Sequence, residues 1–500
     1  MTAPAAQAPP PAAGAAASSR VRRQPTRRNA ELALLIFAMI VVGMYAAAVE
    51  ANALDQVTPD FWVPTAIVTL FFVGLHILVR FRAPYADPAL IPAVALLNGL
   101  GVAFLRRLDL ADADPATRAD YGVFAGVGGR QLAWTIGALV AAALLLVVVK
   151  DHRSVSRYAY TLGLTGIVLV MLPAVLPRRF SEINGAKLRI LIGGFSIQPG
   201  EFAKLALLSF FAYYLVRKRE VLSLASRRVL GIDFPRGRDL GPVLVVWLIS
   251  LLVLVFEKDL GTSLLYFGMF VMTLYVATER VSWLIIGLLL FFGGAGLAYT
   301  LGASVGGPFA NFYERVGVWL DPFADPYGKG YQLSQSILGL GTGGLAGTGP
   351  GAGQPNQVPE VHNDFIFAGI GEELGLFGLT ALLVVYLLII ERGLRAALAV
   401  RDSFGKLLAG GLAFTLGLQV FVIVGGVSKL IPLTGQTTPF LSAGGSSLIA
   451  NWLLIAMLLR VSDAARRPAT GSVSATRISP TGASAAAPVQ LREMPTEVVQ

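Results

Sequence analysis

The sequence predicts an all-α polytopic membrane protein of about twelve transmembrane helices, and three observations carry that expectation. Hydrophobic residues make up 55% of the 500 residues and charged residues only 14%, well below the quarter usual in soluble domains. Apolar runs of near-membrane length follow one another so closely that no room remains for a separate globular unit. Lysine and arginine gather in alternate connections, the asymmetry that sets topology in a bilayer. The mean hydropathy of +0.67 agrees.

Each element follows from these rules in chain order. Residues 1–30 are rich in Ala, Pro and Ser and end in Arg20, Arg22, Arg23, Arg27 and Arg28, a composition that predicts a disordered cytoplasmic arm. Residues 31–462 form the membrane domain. Its first apolar run, Leu32 to Val49, is long enough to span and too long for the core of a cleaved signal peptide. A span requires roughly 20 apolar residues at about 1.5 Å rise each. On that basis spans are expected near 32–49, 62–80, 89–106, 131–149, 157–176, 201–216, 240–256, 261–278, 282–301, 365–390, 408–428 and 440–460. A large polar loop, 302–363, separates the ninth from the tenth. Residues 463–500 are again rich in Ala, Ser, Thr and Pro and are expected to be a disordered cytoplasmic tail. No internal repeat is evident, which disfavours the inverted-repeat plan of transporters.

The charges orient these spans. With the N-terminus inside, the cytoplasmic connections hold Arg80 and Arg82, then Lys150, Arg153 and Arg157, then Arg217, Lys218, Arg219, Arg227, Arg228, Arg236 and Arg238, then Arg280, and finally Arg392, Arg395, Arg401 and Lys406. The opposite side carries Glu50, Asp55 and Asp60, then Asp109, Asp112, Asp114 and Asp120. Both termini are therefore expected in the cytoplasm and loop 302–363 outside the plasma membrane. The net charge of +10 is absorbed by topology, which leaves no case for a nucleic-acid partner. Cysteine is absent, and the three histidines, His76, His152 and His362, are scattered. Disulfides, thiol chemistry and a dedicated zinc site are excluded on those grounds.

The chemistry-bearing stretch runs from Val358 to Gly375. It packs Glu360, His362 and Asp364 into one short polar run where the loop enters the tenth span. An Asn-Asp pair before an apolar helix also reads as a helix N-cap, so cap and general base both fit Asp364 on this basis. The neighbouring ionisable residues exceed what a cap requires, and partial desolvation can raise a carboxyl into the working range of a base. Glu372 and Glu373 lie roughly 12 Å further along the same helix, where ionisable groups face a protein interior or a polar cavity.

Two further sets frame it. The outward segment 177–200 keeps Arg178, Arg179, Lys187 and Arg189 where topology does not ask for cations, so an anionic ligand or headgroup contacts would account for them. Gln198-Pro-Gly-Glu-Phe-Ala-Lys places Glu201 and Lys204 on one helix face, as an internal ion pair or a cavity lining. Lys258 and Asp259 pose the same choice at the turn before the eighth span. The glycine run 339–353 lacks the Gly-Lys-Ser/Thr and preceding strand of a nucleotide loop. Flexibility is the expected reason for it.

These motifs identify a resemblance. Asn184-Gly-Ala, Gln198-Pro-Gly-Glu-Phe-Ala-Lys, Asp259-Leu-Gly-Thr, Gly330-Tyr-Gln-Leu, Pro359-Glu-Val-His-Asn-Asp-Phe, Gly371-Glu-Glu-Leu-Gly and Ser442-Ala-Gly-Gly-Ser-Ser follow one another across 184–460, as in the SEDS family of RodA, FtsW and SpoVE proteins. The resemblance implies a SEDS-type core of about ten helices plus two N-terminal ones. It implies a peptidoglycan glycosyltransferase that polymerises lipid II beside a class B penicillin-binding transpeptidase, with the essential aspartate at Asp364. The added spans favour an elongation-type, actinobacterial RodA over the division-specific FtsW. The chain departs from the family pattern near Arg189, where a tryptophan is usual, and at Gly200 and Ala443.

The implied chemistry assigns expected roles. Asp364 would accept the proton of the acceptor sugar hydroxyl as undecaprenyl pyrophosphate leaves. Lys187, Arg189, Lys204 and Lys258 would stabilise the leaving group, with Mg2+ or Mn2+ on the pyrophosphate as a possible aid and no organic cofactor. Gln198, Glu201, Asp259, Glu360, His362, Glu372, Glu373 and Ser446 complete the expected substrate contacts. A lipid II flippase, which would also want a polar cavity, buried Glu372 and Glu373 and cationic loops, and a non-catalytic scaffold that recruits the transpeptidase are the rival classes.

Overall fold

The computed structural model describes residues 26–57, 61–113, 122, 124–183, 186–192, 195–222, 225–229, 232–235, 241, 244–246, 248–249, 253 and 259–468. Residues 1–25 of the expected N-terminal arm, 469–500 of the expected C-terminal tail, Lys258, and most of the seventh expected span lie outside the described residues, while the inner ends of the arm and the tail are helical, from Arg28 and up to Arg466.

Thirteen helices longer than a single turn order the described chain. They are α1 (Arg28–Leu54), α2 (Trp62–Arg82), α3 (Leu90–Asp112), α4 (Gly126–Val148), α5 (Ala159–Val175), α6 (Pro199–Leu222) and α7 (Leu260–Thr278). After α8 (Val281–Ser304) come α9 (Ala310–Leu320), α10 (Tyr331–Gly343), α11 (Ile366–Ala399), α12 (Ser403–Val427) and α13 (Gly445–Arg466). Among the described residues nine of these are long and apolar enough to cross a membrane, and α5 is a shorter apolar helix. The sixth expected span is longer than its apolar stretch suggested. α6 runs on to Leu222 and carries Glu201 and Lys204 at one end and Arg217, Lys218 and Arg219 at the other.

Two features depart from the expectation of helices joined by plain loops. Among the described residues three two-stranded antiparallel pairs occur: β1 (Glu182–Ile183) with β2 (Ala186–Lys187), β3 (Ile190–Ile192) with β4 (Phe195–Ile197), and β5 (Ala225–Val229) with β6 (Ile232–Pro235). The 302–363 connection is also not a bare loop, because α9 and α10 occupy much of it.

Burial ranks the helices. In α3, α7, α12 and α13 two thirds or more of the apolar window is inside the protein, whereas α1, α2 and α8 keep only about a third or less there, with apolar side chains turned outward as lipid-facing helices require. Packing of α1 on α3, α4 on α13, α5 on α6 and α11 on α12 builds the bundle. Polar ties replace the hydrophobic drive that lipid does not supply. Asn98 donates to Thr135 (3.1 Å) and accepts from the Trp452 indole (3.0 Å), which fastens α3, α4 and α13. At one end of α1 and α2, Glu31 is held by Arg28 and lies 2.6 Å from His76 Nδ1.

Helix α11 is bent at Gly375, whose φ of 64° and ψ of −170° break the helix. The glycine run crosses the bend and bonds to it. Thr348 and Gly349 amides donate to the Glu372 and Glu373 carbonyls (both 2.9 Å), while the Leu376 and Phe377 amides donate to Gly344 and Leu345 (3.0 and 3.1 Å). A Cβ at Gly347 would stand 2.2 Å from the Glu373 carbonyl oxygen, and one at Gly375 would stand 2.3 Å from the Gly347 nitrogen. The expectation of flexibility is therefore corrected. These glycines permit two backbones to meet and satisfy the groups that the bend frees.

Candidate functional site

Asp364 sits in the turn that leads into α11. The helix cap is Phe365, with no side-chain cap bond, so the Asp364 carboxylate is not spent on capping. The turn is pinned to the segment before α13. Ser442 donates its hydroxyl to the Asn363 carbonyl, and the Ala443 amide donates to the His362 carbonyl (2.8 Å). Glu360 adopts φ 56°, an uncommon region for a residue other than glycine, and its carboxylate accepts from Asn363 Nδ2 at 2.6 Å. His362 Nε2 lies 3.8 Å from the same carboxylate.

Burial, first, and the Glu360 charge, second among the raising influences, push the half-buried Asp364 carboxyl up to about 6. Its own backbone amide, Arg315 and Arg189 act in the opposite direction. Arg315 belongs to α9 and feels both Asp364 and Asp259. It is held by the Leu433 carbonyl (2.7 Å) and by Asn311 (3.3 Å). Asp259 caps α7 through the Thr262 amide (2.9 Å) and hydroxyl (2.5 Å). Burial raises its carboxyl against those bonds.

A polar cavity of about 600 Å3 opens beside the turn, walled by Arg130, Gln131 and Trp134 of α4, by Arg189 and by His362 and Asn363. Gln198 and Ser446 also line it, and the Gln198 amide donates to the Ser446 hydroxyl (2.9 Å). Gln131 donates to the Ser442 carbonyl (3.0 Å) and accepts from the Gly444 amide (3.2 Å), which ties α4 to the same segment. An apolar groove of about 630 Å3 lies along α7, α8, α9 and α12, with Phe267, Phe292, Trp319 and Phe421 among its walls.

The remaining expected site residues separate from this centre. Lys204 is buried and saturated by Glu201 (2.7 Å), Gln419 (3.0 Å) and Asn451 (3.1 Å), so the ion pair of α6 is an internal tie. Lys187 donates to the Ala174 and Leu176 carbonyls (3.2 and 3.3 Å) at the end of α5, a position favoured for a cation by the helix dipole. Glu373 is fully buried between Arg107 Nε (2.5 Å) and the Tyr45 hydroxyl (2.8 Å). Glu372 accepts from the Gln354 amide (2.8 Å). The two glutamates thus anchor α1, α3 and the glycine run around the bend in α11. Neither lines the polar cavity.

Sequence reasoning missed Arg315, Arg130, Gln131 and the partners of Glu373. A signal existed for Arg315, the lone cation between Arg280 and Lys329. Among the described residues no three His, Asp or Glu side chains converge on a metal-sized site. An Mg2+ or Mn2+ would have to be held largely by a ligand's own oxygens, and no chemical step is drawn through one.

The chain is similar in sequence and fold to known proteins. Peptidoglycan glycosyltransferase RodA of Mycobacterium tuberculosis is 51% identical over 448 residues, covering 89% of this chain and 92% of the relative. A chain of a peptidoglycan synthase complex, whose structure concerns the coordination of polymerization and crosslinking, superposes with a TM-score of 0.58 at 28% identity, covering 77% of this chain and 99% of its own. The rod shape determining protein RodA of Thermus thermophilus gives a TM-score of 0.51 at 25% identity, covering 75% and 96%. The pattern that defines the FtsW/RodA/SpoVE cell cycle proteins spans residues 88–467, so α3 to α13 fall within it and α1 and α2 precede it. With a fold, a motif order and a sequence that agree over most of its length, the chain belongs to the FtsW/RodA/SpoVE family.

Proposed function

We propose that the chain is a peptidoglycan glycosyltransferase of the cell-elongation type, polymerising lipid II with Asp364 as general base. The observation that carries this reading is the state of Asp364. Its carboxylate is half-buried, free of capping duty, raised to about 6, and flanked by Arg189 and Arg315 beside a polar cavity. A base of that pKa is mostly ionised at neutral pH yet still basic enough to take a proton in the transition state.

In the step proposed, the acceptor sugar hydroxyl oxygen forms a bond to the anomeric carbon of the donor. The hydroxyl proton passes to Asp364. The bond from the anomeric carbon to the phosphate oxygen breaks, and undecaprenyl diphosphate departs with the electron pair. Cationic groups near that oxygen lower the barrier by meeting charge as it develops. The charge asymmetry of the connections supports placing this chemistry on the extracytoplasmic face of the plasma membrane, with both termini inside. A class B penicillin-binding transpeptidase is the partner this reading calls for. The likeness to a chain from a complex that couples polymerization to crosslinking supports it.

Purified protein supplied with labelled lipid II tests the reading. Glycan polymer is the expected product. Bilayer crossing of lipid II without polymer would replace the reading with a flippase, and neither activity would leave a scaffold.

A further inference from the structure

Helix α1 precedes the segment that defines the family, yet its C-terminal half is joined to the helix that follows Asp364. The Tyr45 hydroxyl, on a side chain only 7% exposed, donates to the Glu373 carboxylate at 2.8 Å. One face further on, the Asn52 side-chain amide donates to the Pro350 carbonyl of the glycine run at 2.6 Å. Gly351 lies directly on α1, since a Cβ there would stand 3.1 Å from both Asn52 Cβ and the Val49 carbonyl oxygen. The opposite end of α1 is tied as well, because Arg28 bonds Glu31 and the Ala86 carbonyl, and Glu31 meets His76. Lipid supplies no hydrophobic drive between helices, so polar ties of this kind help to fix where α1 sits.

The limb of α11 ahead of its bend, Ile366 to Leu374, is roughly 13 Å long at about 1.5 Å per residue. Asp364 lies just before one end of it and Glu373 lies at the other. At the Asp364 end, the Ser442 hydroxyl and the Ala443 amide hold the turn. At the Glu373 end, the carboxylate takes donors from Arg107 of α3 (2.5 Å) and from Tyr45 of α1. A short hydrogen-bonded helix behaves as one rigid element, so loosening its grip at one end moves the group carried at the other. Removing the Tyr45 hydroxyl takes a donor from a fully buried carboxylate, which is costly where water cannot replace it.

We infer that Tyr45 is a positioning residue for glycosyl transfer: through Glu373 it sets the first limb of α11, and with it the place of the Asp364 carboxylate. The inference rests on the reading of Asp364 as general base, and it brings a helix from outside the family-defining segment into the alignment of the reaction. Tyr45 acts at a distance, since it lines neither the polar cavity nor the apolar groove. Asn52 serves the same end by holding the glycine run, whose Thr348 and Gly349 amides bond to the Glu372 and Glu373 carbonyls.

Steady-state polymerisation of lipid II by the purified full chain tests this. Tyr45→Phe keeps the ring and its packing and removes only the hydroxyl. It should lower kcat by roughly tenfold to a hundredfold, the scale of a catalytic group displaced by about 1 Å or less. KM for lipid II should stay unchanged, because the lost alignment counts only in the transition state. Because Tyr45 acts through the base, Tyr45→Phe should add little to the loss already caused by Asp364→Asn. Val42→Ala is the control, since Val42 is buried against Gly99 of α3 one turn away and touches neither Glu373 nor the glycine run. It should lower thermal stability and leave kcat unchanged at a temperature where the protein is folded. Asn52→Ala, at an exposed position, should lower kcat severalfold, and it carries the test if Tyr45→Phe does not fold. Wild-type kcat in folded Tyr45→Phe, or in Asn52→Ala where Tyr45→Phe does not fold, would overturn the positioning role and leave Asp364 as the base. An equal fall in kcat for Val42→Ala, or an undiminished effect of Tyr45→Phe on the residual rate of Asp364→Asn, would overturn it too. Normal polymerisation by Asp364→Asn alone would instead overturn the base, and the inference with it.

Discussion

Asp364 is set between burial, which holds its proton on, and two guanidinium groups, which draw it off. Because Arg315 lowers the Asp364 pKa and burial with Glu360 raises it to about 6, the sign of each perturbation is fixed. Polymerisation should rise with pH through a limb near 6, since only the ionised form accepts a proton. Arg315→Gln should move that limb to higher pH and Glu360→Gln to lower pH. Rates measured from about pH 5 to 8 check this, and coincident limbs in all three proteins would contradict it. The stability sign is the reverse of the catalytic one. A folded carboxyl pKa raised above its unfolded value favours the folded state at low pH, and that contribution is lost as pH rises from about 4 to 6. Asp364→Asn should therefore not lower stability at neutral pH. Glu360, His362 and Asp364 were legible as a cluster because they adjoin in the chain. Arg315 and Arg130 were not, because α9 and α4 deliver them from elsewhere, and no local spacing reports which helix faces which cavity.

At the scale of elements, the meeting of the glycine run with the bent α11 is the feature that holds the turn carrying Asp364. Thr348 and Gly349 bond to the backbone of Glu372 and Glu373, whose side chains fasten Gln354, Arg107 and Tyr45. Gly347 and Gly375 sit at φ 83° and 64° with backbone atoms 2.2 and 2.3 Å from any added Cβ. Gly347→Ala and Gly375→Ala should each cost at least about 1–3 kcal/mol from backbone strain alone, with a clash added. Thermal unfolding of the purified protein should fall by several degrees and polymerisation should fall with it. Gly341→Ala, which meets nothing within 4 Å and lies inside α10, should be silent or slightly stabilising. Equal tolerance at all three positions would dissolve the structural role. The sequence displayed the glycines but not their purpose, because conformational freedom is a property of the residue and a crossing backbone is a property of the fold. α6 was under-read for a related reason, since hydropathy alone ends a span where charges begin, at Arg217, while the helix itself runs on through Lys218 and Arg219 to Leu222.

For the whole molecule, hydropathy and charge asymmetry were enough to order the membrane helices, because each span must satisfy its own backbone and so announces itself by length. They did not reveal α9 and α10, whose mixed faces read as a polar loop, nor the short strand pairs near the cavity. The orientation they imply is open to direct test. A reporter fused near Gly349 should register the extracytoplasmic side and one near Arg228 the cytoplasm, and the reverse pattern would place Asp364 away from the growing wall. The measurement that bears most directly on the central claim is lipid II polymerisation by purified Asp364→Asn. Asparagine keeps the size of the side chain and removes the proton acceptor, so the rate should fall by about 10²- to 10⁴-fold while the protein elutes and unfolds like wild type. Polymer made at a near wild-type rate by a well-folded Asp364→Asn preparation would contradict the assignment of Asp364 as the base.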